Sequence, residues 1–72
     1  PPTLALRREV DDLAAIVDRL PTERQVRDRV AEVDERIRKA RLGRMDGPPT
    51  LLPPLDADRV VEGWRERRAR AG

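Results

Sequence analysis

Two runs of apolar residues keep the same rhythm on either side of one proline. Leu6, Val10, Leu13, Val17 and Leu20 are spaced four, three, four and three apart, and Val26, Val30, Val33, Ile37 and Ala40 repeat that spacing. Such an interval places one apolar stripe along one side of a helix. Only Leu20-Pro21-Thr22 separates the two patterns, and Pro21 disfavours helical geometry at the residue before it. So short a connection sends the second helix back along the first. The spacing predicts an all-α fold whose main element is an antiparallel helical hairpin (a coiled coil) over residues 1–42. Its helices cover 4–20 and 23–42, roughly 25–30 Å long at a rise of ~1.5 Å per residue.

Local signals agree. Thr3 can cap the first helix, and Ala14 and Ile16 widen its stripe. Thr22 and Gln25 have the spacing of a capping box, and Gly43 stands where a left-handed residue would end the second helix. Glu23–Arg27, Glu32–Arg36, Asp34–Arg38 and Glu35–Lys39 are acid-before-base pairs four residues apart, each worth a few tenths of a kcal/mol on a helix surface. Leu13 and Val17 are expected to pack against Val30 and Val33. A hairpin of this size is marginal alone, so a further cover is needed.

The chain supplies one candidate. Residues 43–55 are a linker containing Gly43, Gly47, Pro48, Pro49, Pro53 and Pro54. After it, residues 56–72 read as a short C-terminal helix capped by Asp56 or Asp58, with Val60, Val61 and Trp64 as its apolar face. Trp64 is the only aromatic residue, and we expect it against the open end of the hairpin. Beyond it the apolar pattern stops and arginines crowd the terminus. The tetrapeptide Pro-Pro-Thr-Leu occurs at 1–4 and again at 48–51, a coincidence of a Pro-rich chain on this reading.

Composition narrows the function. Among 72 residues there is no cysteine, histidine, serine, asparagine, tyrosine or phenylalanine. That removes disulfides, thiolate zinc sites and nearly every nucleophile or general base, so no enzyme activity and no cofactor or metal is expected of this chain. The most apolar uncharged run, Pro48 to Leu55, holds four prolines and is too short to cross a bilayer. No signal peptide is visible. The chain opens on Pro1, which reads as a piece cut from a longer, intracellular protein.

Few constellations carry chemistry. Asp58, Glu62 and Glu66 share a helix face but gather no further ligands, so they read as a solvated acidic row. Asp56-Ala57-Asp58 reads as a cap, and the paired prolines as a stiff spacer rather than a polyproline ligand. Arg65, Arg67, Arg68 and Arg70 against Glu66 give a local charge of +3, enough for phosphate contacts. Residues 22–44 carry eight basic and five acidic residues, interleaved as on a solvated face.

The order of these elements resembles a known family. Leu6-Arg7-Arg8-Glu9-Val10-Asp11-Asp12-Leu13-Ala14, then Thr22-Glu23-Arg24-Gln25-Val26-Arg27, then Val30-Ala31-Glu32-Val33-Asp34-Glu35-Arg36-Ile37 is similar to the coiled-coil segment of large serine recombinases, the phage integrases. Leu55-Asp56-Ala57-Asp58-Arg59-Val60-Val61-Glu62-Gly63-Trp64 is similar to the short Trp-bearing helix that follows in that family. The resemblance covers about residues 4–66. It implies a non-catalytic module projecting from a zinc-ribbon DNA-binding domain and touching the same element on other subunits, which governs synapsis and directionality. It further implies an accessory directionality factor as a partner, DNA held through the parent protein, and a bacterial or phage-infected cytoplasm. The catalytic serine and zinc cysteines would lie outside this segment. The alternative from the residues themselves is a small helical nucleic-acid-binding domain using the C-terminal arginines.

Overall fold

The computed structural model describes residues 2–72, with side chains from Leu4 onward. It is all-helical among the described residues, with α1 at Pro2–Asp11, α2 at Leu13–Val17, α3 at Glu23–Arg41 and α4 at Ala57–Ala71. The molecule is a rod of 42 × 17 × 16 Å.

The first helical pattern is broken where one helix was expected. Asp12 adopts φ −93° and ψ 4°, yet its N–H still donates to Arg8 (2.9 Å) and its carbonyl accepts from Ile16 (3.0 Å). Two successive aspartates, which favour non-helical backbone, sit at that joint. The second half stops at Val17, before Leu20. Arg19 and Leu20 donate to the carbonyls three residues back, at 3.3 and 2.9 Å, and the tightened turn delivers the chain to Pro21. Thr3 falls inside α1 rather than ahead of it, and its side chain lies outside the described residues.

The ends of α3 follow their local signals. Thr22 Oγ1 accepts from the Gln25 N–H at 3.2 Å. At the other end Gly43 has φ +70°, its N–H donates to Ala40 (3.2 Å) and that of Arg44 to Lys39 (2.9 Å). These two bonds form a Schellman motif and satisfy carbonyls that the helix end leaves open. Asp56 caps α4, its Oδ1 accepting from the Arg59 N–H at 3.3 Å.

One apolar core holds the helices together. Leu6, Leu13 and Val17 are buried with all five stripe residues of α3 and with Val61 and Trp64, while Val10, Leu20 and Val60 are half-buried against them. Ala14 is exposed and widens nothing. An ion pair from Arg36 to Glu9 joins α3 to α1 and marks their register, with Leu13 near the level of Val33 and Val17 near that of Val30.

The linker is fastened down. Thr50 is buried, its N–H donates to the Ala40 carbonyl (3.3 Å), and the Leu55 N–H donates to Asp34 Oδ1 (2.8 Å). The chain thus returns along α3 and starts α4 beside the middle of the rod. Asp58 pairs with Arg27 at 2.9 Å, and Arg65 pairs with Glu23. Positions rise on α4 as they fall on α3, so α4 runs antiparallel to α3.

Trp64 is buried, but at the opposite end from the one expected. Its Nε1–H donates to the Leu20 carbonyl at 3.2 Å, at the closed tip of the hairpin. The reason is the docked linker, which carries α4 away from the open end before it begins.

Candidate interaction surfaces

At the tip, three of the four C-terminal arginines are part of the fold. The Arg67 guanidinium donates to both carboxylate oxygens of Asp18 at 2.9 and 2.8 Å. Arg65 pairs with Glu23. Arg68 lies 4.8 Å from the Trp64 ring centre and also donates to the Leu20 carbonyl at 3.3 Å. That carbonyl, stranded at the turn by Pro21, thereby gains two donors from α4. Arg70 has no acidic partner within 4 Å among the described residues. A tail expected as free charge for phosphate contact is instead largely an internal latch.

Glu23 is the hub of this end. Its carboxyl is held below the ordinary range, first by the hydrogen bond from Arg27 and then by that from Arg65. Arg27 is held above its ordinary value, chiefly by Asp58 and then by Glu23. Of the expected pairs four residues apart within α3, only Glu23–Arg27 forms, at 3.1 Å. Arg36 turns to Glu9, Asp34 takes the Leu55 N–H, and Glu35 pairs with Arg38, which lowers the Glu35 carboxyl. Arg36 and Asp34 thus went to partners brought by the tertiary fold, while Glu32 and Glu35 pair three residues away on the same helix, with Arg29 and Arg38.

The outer stripe of α3 stays in water. Arg24, Asp28 and Ala31 are exposed, and Arg24 and Asp28 have no ion partner within 4 Å among the described residues. Asp58 is taken by Arg27, so the row Asp58, Glu62 and Glu66 is not a set of free carboxylates. Among the described residues no group of three His, Cys, Asp or Glu side chains is arranged to hold a metal ion. Among them too, no helix is long and apolar enough to cross a membrane.

The open end differs in kind. Leu4, Leu42 and Leu51 are large apolar side chains left in solvent there. Leu4 and Leu51 line one open groove with Arg7, Thr50, Leu52 and Pro53. None of these residues stood out in the sequence as functional. The signals were present: Leu4 and Leu42 fall off the heptad stripe, and Leu51 sits in a proline-bound segment that no helix seam can use.

Compared with protein-family models, with curated proteins and with solved structures, the chain matches none of them.

Proposed function

We propose that this chain is a non-catalytic protein–protein interaction module, the coiled-coil segment of a large serine recombinase, which holds subunits together when two DNA sites are joined. One observation supports a protein partner above nucleic acid: Arg65, Arg67 and Arg68 are engaged within the fold, on Glu23, Asp18, Leu20 and Trp64. Phosphate contact would have to compete with these partners. The hairpin seam is also closed by its own helices, leaving a charged outer stripe suited to weak, reversible contacts between copies. The recombinase part of the reading rests on the sequence resemblance alone. An accessory directionality factor would be a further partner, and DNA would be bound by the rest of the recombinase.

The test uses the whole recombinase. Arg24→Glu combined with Asp28→Arg inverts the outer stripe without touching an internal pair. Single-site DNA binding should be unchanged, while joining of two sites should fall tenfold or more. Replacing residues 4–42 by a short linker should do the same. Loss of single-site binding with joining preserved would make the hairpin a DNA contact element. A reading frame lacking flanking zinc-ligand cysteine pairs and an upstream catalytic serine domain would remove the recombinase assignment and leave only the interaction module.

A further inference from the structure

The repeated tetrapeptide Pro-Pro-Thr-Leu brings its two leucines to one place. Leu4 closes the first copy and Leu51 the second, and both line the open-end groove of about 350 Å³. Leu4 is 58% exposed and Leu51 97%, against 3% for Leu6 only two residues away. Burying such a side chain is worth about 2 kcal/mol, so this end carries unused apolar surface.

The groove is also preformed. Thr50 is buried beneath it, hydrogen-bonded through its N–H to Ala40 and through Oγ1 to the Leu52 N–H at 3.2 Å. The segment presenting Leu51 is therefore fixed before anything docks, which lowers the ordering cost of binding.

Charge identifies the occupant. Residues 4–8 and 39–53, which build the open end, hold five basic side chains (Arg7, Arg8, Lys39, Arg41, Arg44) and one acidic, Asp46. That is +4 in a chain of net +2, so the remainder of the molecule is net negative. Arg7 forms one wall, with Asp11 3.4 Å away as its exposed partner. Arg41 lies seven residues beyond Asp34 on the α3 stripe that the linker follows, and Asp34 is already occupied by the Leu55 N–H. A second copy docking through this same end would bring an equally basic surface and be repelled.

We propose that this groove is a docking site for an acidic peptide segment with aliphatic anchors, its apolar side chains on Leu4 and Leu51 and its carboxylates toward Arg7 and Arg41. The site stands on this chain's own surface and does not depend on the recombinase reading.

The probe is a short synthetic peptide of alternating leucine and glutamate, titrated into the isotope-labelled chain and followed by amide chemical shifts. Shifts should cluster at Leu4, Arg7 and residues 50–52. Leu51→Ser, at a fully exposed position, should leave helicity unchanged and weaken binding about tenfold, as expected for losing most of one leucine's burial. Arg7→Glu and high salt should each weaken it several-fold. A peptide with lysine in place of glutamate should not bind. The proposal is overturned if the acidic peptide does not bind, if shifts centre on the tip, or if both peptides bind alike. It is equally overturned if Leu51→Ser abolishes self-association of the chain, or abolishes binding to phosphatidylglycerol vesicles that bind where the peptide does not.

Discussion

Trp64 joins three parts of the molecule through one side chain. Its ring fills the core between α2, α3 and α4, its Nε1–H serves the Leu20 carbonyl, and its face carries the Arg68 guanidinium. Trp64→Ala removes all three and should lower stability by about 3 kcal/mol in chemical denaturation, the usual cost of emptying a large aromatic site. Trp64→Phe keeps most of the packing and loses the hydrogen bond, so its cost should be nearer 1 kcal/mol. Equal losses for the two would mean that the indole N–H, not the ring, secures the tip. That this residue would be buried was legible, because a single tryptophan in a chain poor in apolar bulk has nowhere better to go. Which end it would seal was not legible. The answer depends on Thr50 and Leu55 being tied to Ala40 and Asp34, contacts 10 and 21 residues apart with no local periodicity to announce them.

The same contrast holds for whole elements. The stripe of α3, its Thr22 cap and its Gly43 terminus could be read from spacing and residue type, since each is decided within a few residues. The joint at Asp12 could not, because the apolar rhythm runs through it without a missed step. The glycines give opposite expectations for two helices. Gly43→Ala places a Cβ at φ +70° and should destabilise α3 by about 1–2 kcal/mol, the cost of left-handed backbone for an ordinary residue. Gly63 lies inside α4, where the nearest obstacle to a Cβ is the far end of Arg67, at 2.9 Å. A guanidinium on a flexible stem can move, and its pair with Asp18 is partly solvated and worth little. Gly63→Ala should therefore raise stability by about 0.5–1 kcal/mol through helix preference. Thermal unfolding of both variants by circular dichroism checks the two signs together, and a destabilised Gly63→Ala would show that α4 needs the Arg67–Asp18 latch more than it needs alanine.

At the scale of the molecule, charge and chain path become the governing facts. Opposite charges alternate so closely in the sequence that the helix pairs looked settled; long-range partners drew off Arg36 and Asp34, neighbours three residues away took Glu32 and Glu35, and only the finished fold separates a basic end from a net acidic remainder. Glu23 and Glu35 are held below the ordinary carboxylate range by arginines that donate to them. A carboxyl lowered in the folded state contributes stability that is complete above its unfolded value and lost as pH falls through the folded one. The melting temperature should thus hold steady at neutral pH and decline on the acid side of the carboxylate range. Glu23→Gln should flatten that decline, and a slope unchanged by it would exonerate the Glu23 hub. The path has a consequence of another sort. Because α4 runs from the middle of the rod to the tip, residues 4 and 72 stand at opposite poles of a body 42 Å long. Tension applied between them slides the helices past one another, loading the whole apolar seam at once. Tension between residues 4 and 42, both at the open end, would peel the same hairpin apart one turn at a time. The fold is therefore mechanically anisotropic, a strut along its length and a zipper across it.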